Sequence, residues 1–328
     1  MNLRKYCSII FPVLFYSNTT FAQFQEGADI TDELNQLIAT QRNNIYIPSG
    51  NYRIDATKSV NLRSNTTLIL DPKTTLKVIP NNQGSYQLFK INNVKNVSIS
   101  GGTLIGDKYT HIGDKGEWGM GIEIKDSQNI SISDIRIDKM WGDAIYLGTN
   151  GQDSNSNITL NNIIMNDNRR QGISIISVKK LRGYNLYANN TSGTAPASGI
   201  DIEPNNNKAI LQDIYLKNIY TISNQGSGLH SYFGFYKGSP KAIDIKVENH
   251  MDNGSKYGFY MLGLDNSAIG KFEIKNADYK KSKTSNLCLS EWNNPNFALN
   301  LASYKSDQIV SINNDCKFFK KNKKIKIY

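Results

Sequence analysis

A short phrase that returns every 23 to 30 residues constrains this chain more than any other feature. It reads Gly121-Ile122-Glu123-Ile124, Ala144-Ile145-Tyr146-Leu147, Gly172-Ile173-Ser174-Ile175, Gly199-Ile200-Asp201-Ile202, Gly228-Leu229-His230-Ser231 and Gly258-Phe259-Tyr260-Met261, with steps of 23, 28, 27, 29 and 30. A second phrase interleaves with it: Asn96-Val97-Ser98-Ile99, Asn129-Ile130-Ser131-Ile132, Asn157-Ile158-Thr159-Leu160, then Ala209-Ile210-Leu211, Ala242-Ile243-Asp244-Ile245 and Ala268-Ile269-Gly270. Two short strands per period, with Asn, Gly, Ser and Asp between them, leave no room for crossover helices and exclude a sheet of alternating helices and strands. A strand that alternates Ile with polar residues buries one face only. Coiling the chain so that each strand stacks on its equivalent turns that face into one continuous core. The expected fold is therefore all-β, a single-stranded right-handed parallel β-helix, with Ile122, Ile145, Ile173, Ile200, Leu229 and Phe259 in one buried column.

The ends of such a stack are open parallel edges that need covering. Thr31 to Thr40 reads as a short amphipathic helix, with Thr31 as N-cap and Leu34, Leu37 and Ile38 apolar, so residues 23–42 form an N-terminal cap. Before it, Arg4 and Lys5, the apolar stretch Ile9 to Tyr16 and the small residues Thr20 and Ala22 read as an export signal over residues 1–22. That stretch is too short to span a bilayer, and no later segment is apolar for long enough to anchor the chain. A periplasmic or extracellular location follows, in which two cysteines can pair. Cys288 and Cys316 lie 28 residues apart, one coil, so a disulfide could staple the last turns of a β-helix domain ending at residue 316. The formal charge of +10 is mostly a terminal matter. Without Arg4, Lys5 and the six lysines of the basic tail, residues 317–328, the body is near +2. Nothing in that balance points to nucleic acid. Oligomeric state is not legible.

Period two decides which side chains face outward. If Ile173 and Ile175 point inward, then Arg170, Gly172, Ser174 and Ile176 point out. The same phase gives one outward column, Glu123, Tyr146, Ser174, Asp201, His230 and Tyr260, flanked by Lys125, Gly148, Ile176, Glu203, Tyr232 and Leu262. Tyrosines offer platforms for sugar rings. Glu123, Lys125, Tyr146, Gln171, Tyr232 and Tyr260 are the expected substrate contacts. Asp201 and Glu203, two residues apart on one face, admit three roles: an acid pair for glycoside hydrolysis, oxygen ligands for Ca²⁺, or partners of the Asn205–Asn207 turn. No cofactor is required by the first or the third. Arg170 could clamp a uronate carboxylate. With His230 as base and Tyr146 or Tyr260 as proton donor, that arrangement suits β-elimination or C5-epimerisation. Arg170 could equally pair with Asp201 or Glu203. The catalytic candidates are Asp201, Glu203, His230 and Arg170. Ser174, Asp201 and His230 do not form a serine triad, because the acid stands where the histidine must.

Ile45-Tyr46-Ile47-Pro48-Ser49-Gly50-Asn51-Tyr52 and Ser100-Gly101-Gly102-Thr103-Leu104-Ile105-Gly106 resemble the opening coils of the pectate lyase/polygalacturonase-like superfamily, and phage tailspike depolymerases look similar there. Arg169-Arg170-Gln171-Gly172-Ile173-Ser174 and Gly199-Ile200-Asp201-Ile202-Glu203-Pro204-Asn205 look like phrases of bacterial and phage β-helix proteins. The resemblance implies the β-helix fold and a polysaccharide, in particular an acidic one, as partner, cleaved by hydrolysis or elimination. A glycan-binding surface protein without catalysis and a periplasmic uronate epimerase are the alternatives. The chain departs from the polygalacturonase pattern at two places. An Asp-Asp pair after Gly is replaced by Gly142-Asp143-Ala144, where Asp143 reads as an inward or turn residue. Gly-His-Gly is replaced by Arg170-Gln171-Gly172.

Overall fold

The computed structural model describes residues 19–40, 43–151, 154–264, 268–290, 294–307 and 325–327. Nine parallel strands form the sheet built from the first phrase: β1 (Val60–Asn61), β2 (Ser85–Asn92), β3 (Trp118–Lys125), β4 (Ile145–Gly148), β5 (Gln171–Ile175), β6 (Ser198–Ile202), β7 (Ser227–Tyr232), β8 (Tyr257–Leu262) and β9 (Ser285–Leu289). Every neighbour in this sheet is the next coil of the chain, which is the signature of a solenoid. Ile122, Ile145, Ile173, Ile200, Leu229 and Phe259 are in register, and none is more than 1% exposed. The fold is a right-handed parallel β-helix, the hand that parallel crossovers take almost without exception.

The glycines that head the phrases have a packing reason. A Cβ on Gly172 would lie 2.3 Å from the Gly199 carbonyl oxygen, and one on Gly199 would lie 2.8 Å from that of Gly228. The next coil's backbone occupies the space a side chain would need.

The rest of each coil differs from a plain two-strand reading. Strands such as Gln128–Asp138, Asn155–Asn166, Val178–Asn189 and Leu211–Ile222 run across two faces. They bend at left-handed residues in their middles: Asp134, Asn162, Asn185 and Asn218 have φ of 53° to 58°. Each coil therefore has three faces. Asparagine side chains bridge consecutive coils at these bends, with Asn218 Nδ2 donating to Asn185 Oδ1 at 3.0 Å and Asn249 Nδ2 to Asn218 Oδ1 at 2.8 Å. A second ladder links Asn65, Asn96, Asn129 and Asn157. The Ala209-Ile210-Leu211 phrase is out of step. Ile158 stacks on Leu181 and Ile214 instead, because Lys180 and Asp213 take over the left-handed position that asparagine marks elsewhere.

The cap is the helix α1 (Thr31–Ala39), with Leu34 and Ile38 buried and Asn35 bonded to the backbone of Ser59 and Asn61 at the first strand of the sheet. Its N-cap is Ile30, not Thr31. Asp29 supplies the side chain, accepting from the Thr31 amide at 3.0 Å, while the Thr31 hydroxyl also receives the Asp55 amide. Thr19–Phe21 pairs parallel with Asn44–Tyr46. Residues 1–18 of the segment read as an export signal, Cys7 among them, lie outside the described residues, as do Cys316 and most of 317–328. Ile325–Ile327 pairs with Leu299–Leu301. Cys288 is disulfide-bonded. No helix among the described residues is long and apolar enough to cross a membrane.

One polar chain runs through the interior. The Tyr279 hydroxyl meets His250 Nδ1 at 2.8 Å, His250 Nε2 meets the Thr221 hydroxyl at 3.1 Å, and Thr221 and Ser255 both donate to Asp252 Oδ2, at 2.8 and 2.6 Å. Burial pushes the Asp252 carboxyl up to about 7 and the His250 imidazole down to about 3.

Candidate functional site

Strand pairing puts Glu123, Tyr146, Ser174, Asp201, His230 and Tyr260 side by side on the outer face of the sheet, one per coil. The polar cluster in the middle of this ladder is the candidate site, drawn from five consecutive coils. Asp201, on β6, is fully buried. Its Oδ1 meets His230 Nδ1 on β7 at 2.7 Å, and its Oδ2 accepts from Gln171 Nε2 on β5 at 3.1 Å. Gln171 is itself buried, with its carbonyl accepting the Ser198 amide at 2.8 Å. Both of its ends are used to fix the start of β6 and the Asp201 carboxylate.

Arg170 lies at the head of β5, between two acids. Its Nη1 is 3.1 Å from Asp143 Oδ2 and its Nε is 3.5 Å from Glu117 Oε1. Asp143, in the turn before β4, is fully buried and also accepts from the Ser174 hydroxyl at 2.7 Å. Glu203, just past the end of β6, is half-buried above Asp201. Burial first, and then the Asp201 charge, pushes its carboxyl up to about 7. Burial also pushes Asp143 up to about 6, against the pull of Arg170 and Ser174. Burial works against the His230 imidazolium, but the Asp201 carboxylate outweighs it and holds the pKa above the usual histidine range. The same contest around Arg170, with burial opposed by Asp143, Asp201, Glu117 and Glu203, ends in favour of the charge.

The structure thus brings Arg170, Gln171, Asp201, Glu203 and His230 together. Tyr260 borders them, its ring 5.4 Å from that of His230, and Tyr146 does so on the other side, through a 3.4 Å bond from Asn205 Nδ2 to its hydroxyl. Glu123 and Lys125 stand apart. They pair with each other at 2.7 Å, three coils or about 14 Å from Asp201 along the stack. Tyr232 packs its ring against Phe235. Ile176, expected outside, is 3% exposed, because the chain leaves β5 at Ile175 and strand alternation ends there.

Two site residues were not read as such from the sequence. Asp143 sits in a turn, where parity along a strand says nothing about direction. Glu117 closes an aperiodic excursion, residues 106–117, that carries no repeat signal. No group of three or more His, Cys, Asp or Glu side chains arranged to hold a metal occurs among the described residues.

No family model matches the chain. It is 28% identical over 266 residues to YclG, an uncharacterized protein of Bacillus subtilis, a match that takes in 70% of this chain and 44% of that protein. The chain thus spans less than half the length of that relative. Among solved structures, the polygalacturonase of Erwinia carotovora superposes over 97% of this chain and 98% of its own, with a TM-score of 0.61 and 12% identity. The endo-xylogalacturonan hydrolase of Aspergillus tubingensis superposes over 90% or more of both chains (92% and 97%), with a TM-score of 0.54 and 13% identity. The chain shares the fold of these two proteins, a parallel β-helix.

Proposed function

We propose that the protein is an exported glycoside hydrolase acting on a polysaccharide, with Glu203 as proton donor and Asp201 as the buried carboxyl that sets the environment of Glu203. The observation that carries this reading is the unequal environment of two adjacent carboxyls. Glu203 holds its proton up to about pH 7, whereas Asp201 lies fully buried between His230 Nδ1 at 2.7 Å and Gln171 Nε2 at 3.1 Å. Glycoside hydrolysis requires an acid to protonate the leaving oxygen, and a carboxyl that keeps its proton near neutral pH meets that need. His230 and Gln171 fix the orientation of Asp201, and the Tyr146 and Tyr260 rings border the space where a sugar would lie. The two solved structures named above are a polygalacturonase and an endo-xylogalacturonan hydrolase. Their likeness supports the scaffold, and the residues carry the chemistry. Incubating the purified chain with a panel of plant and bacterial polysaccharides tests the reading. New reducing ends support it. An absorbance from unsaturated uronates, without them, would replace it by elimination.

A further inference from the structure

We infer that the sugar unit held at the Asp201–Glu203 cluster is uncharged, so that the glycan taken there is neutral at the bond acted on and not a polyuronate or a sulfated polymer. This rests on the hydrolytic reading above and concerns which substrate that site accepts.

A substrate carboxylate or sulfate in a partly buried site needs a cation whose charge is not already met. Arg170 is the guanidinium at the cluster, and two carboxylates flank it, Asp143 at 3.1 Å and Glu117 at 3.5 Å. The charge of His230 is met by Asp201 at 2.7 Å. The next cation along the ladder, Lys125, is paired with Glu123 at 2.7 Å and lies three coils away. With Glu203 holding its proton, three acids, Glu117, Asp143 and Asp201, still face two bases, Arg170 and His230. An added anion would meet net negative charge in a site where little water screens it. Elimination and C5-epimerisation both require the substrate carboxylate to be neutralised, and this cluster offers it no unmatched cation.

A neutral sugar leaves that balance intact. The cage also explains why Arg170 need not act as a clamp: Glu117, from the 106–117 excursion, occupies the place a uronate carboxylate would take beside it.

The test compares polymers that share a backbone and differ in charge. The full chain is incubated with polygalacturonate and its carboxyl-reduced form, with carrageenan and its desulfated form, and with neutral mannan and dextran, at low and high salt. Reducing ends should form at least about tenfold faster on the neutral member of a pair, with little effect of salt, because no steering attraction is there to be screened. Faster cleavage of a charged member, slowed by salt, would overturn the inference and leave hydrolysis standing. No reducing ends from any polymer would count against the hydrolytic reading and, with it, against the inference. A second arm uses Glu117→Gln, which removes one wall of the cage. Binding of tri-galacturonate, followed by calorimetry, should strengthen about tenfold over the unaltered chain. Equally tight binding to both forms would show that Glu117 does not exclude the anion, and would also overturn the proposal.

Discussion

The interior carboxyl of Asp252 allows a quantitative test of how the stack is held together. Replacing Asp252 by Asn keeps the side chain's size while removing its titration. Burial raises the carboxyl from an ordinary 3.8 to about 7. The gap is about 3 units at about 1.4 kcal/mol each, so ionising it costs the folded state roughly 4 kcal/mol as an upper figure. Because the folded-state pKa lies above the unfolded one, the associated stability is complete below about pH 4 and is lost as pH rises to about 7. His250 works in the opposite sense. Its pKa is pushed down to about 3, so its neutral form favours folding above the ordinary histidine range and loses that advantage as pH falls. The unaltered protein should therefore be limited from both sides, and Asp252→Asn only from the acid side. Urea unfolding at pH 5, 6, 7 and 8, read as the difference between the two proteins, isolates Asp252 from the other titrating groups. The variant should lose some stability at pH 5, where an amide NH₂ faces the Ser255 amide that the carboxyl accepts, and overtake the parent by pH 8. Parallel pH profiles in the two proteins would refute the argument.

Four further outcomes are expected. Glu203→Gln and Asp201→Asn should each lower the rate of glycan cleavage by about 10²- to 10⁴-fold with little change in the far-ultraviolet circular dichroism; full activity in either would remove that residue from the chemistry. The rate should fall as pH rises through about 7, when Glu203 gives up its proton, and a profile flat from pH 6 to 9 would exclude it as the donor. Ile200→Ala, in the fully buried column, should cost about 2–5 kcal/mol in a urea melt, and a loss below about 1 kcal/mol would mean the column is not the core. Cys288 should resist a thiol reagent in unreduced protein and react after reduction, and prompt labelling without reductant would contradict its disulfide.

Much of this fold is legible from residues alone, because a coil must repeat its inward side chains to stack. Ile122 to Phe259 and the outward ladder beside them follow from spacing and parity, and parity held wherever a strand continued. It failed where strands end. Ile176 turns inward and Asp143 enters the site from a turn. The third face was missed because its bend is marked by single left-handed residues, Asp134 and Asn162 among them, which resemble ordinary turn asparagines. The pairing of Arg170 was harder still. Sequence could place a cation next to Asp201, but the choice between clamping a ligand and being held by neighbours depended on Glu117, a residue outside any repeat. Gln171 illustrates the same limit: its neighbour in the next coil, not its own phrase, gives it the Asp201 bond.

The placement of the cluster along the stack bears on how such a molecule wears out. In a solenoid each coil touches only its two neighbours, so partial opening starts at the termini and travels inward like a zip. Glu117, Asp143, Arg170, Asp201 and His230 are supplied by coils whose strands, β3 to β7, have β1 and β2 on one side and β8 and β9 on the other. The terminal coils therefore act as sacrificial length. They can open and close, or be nicked, while the five coils that assemble the carboxyls stay zipped, and the last part of the molecule to come apart is the part that carries the candidate site.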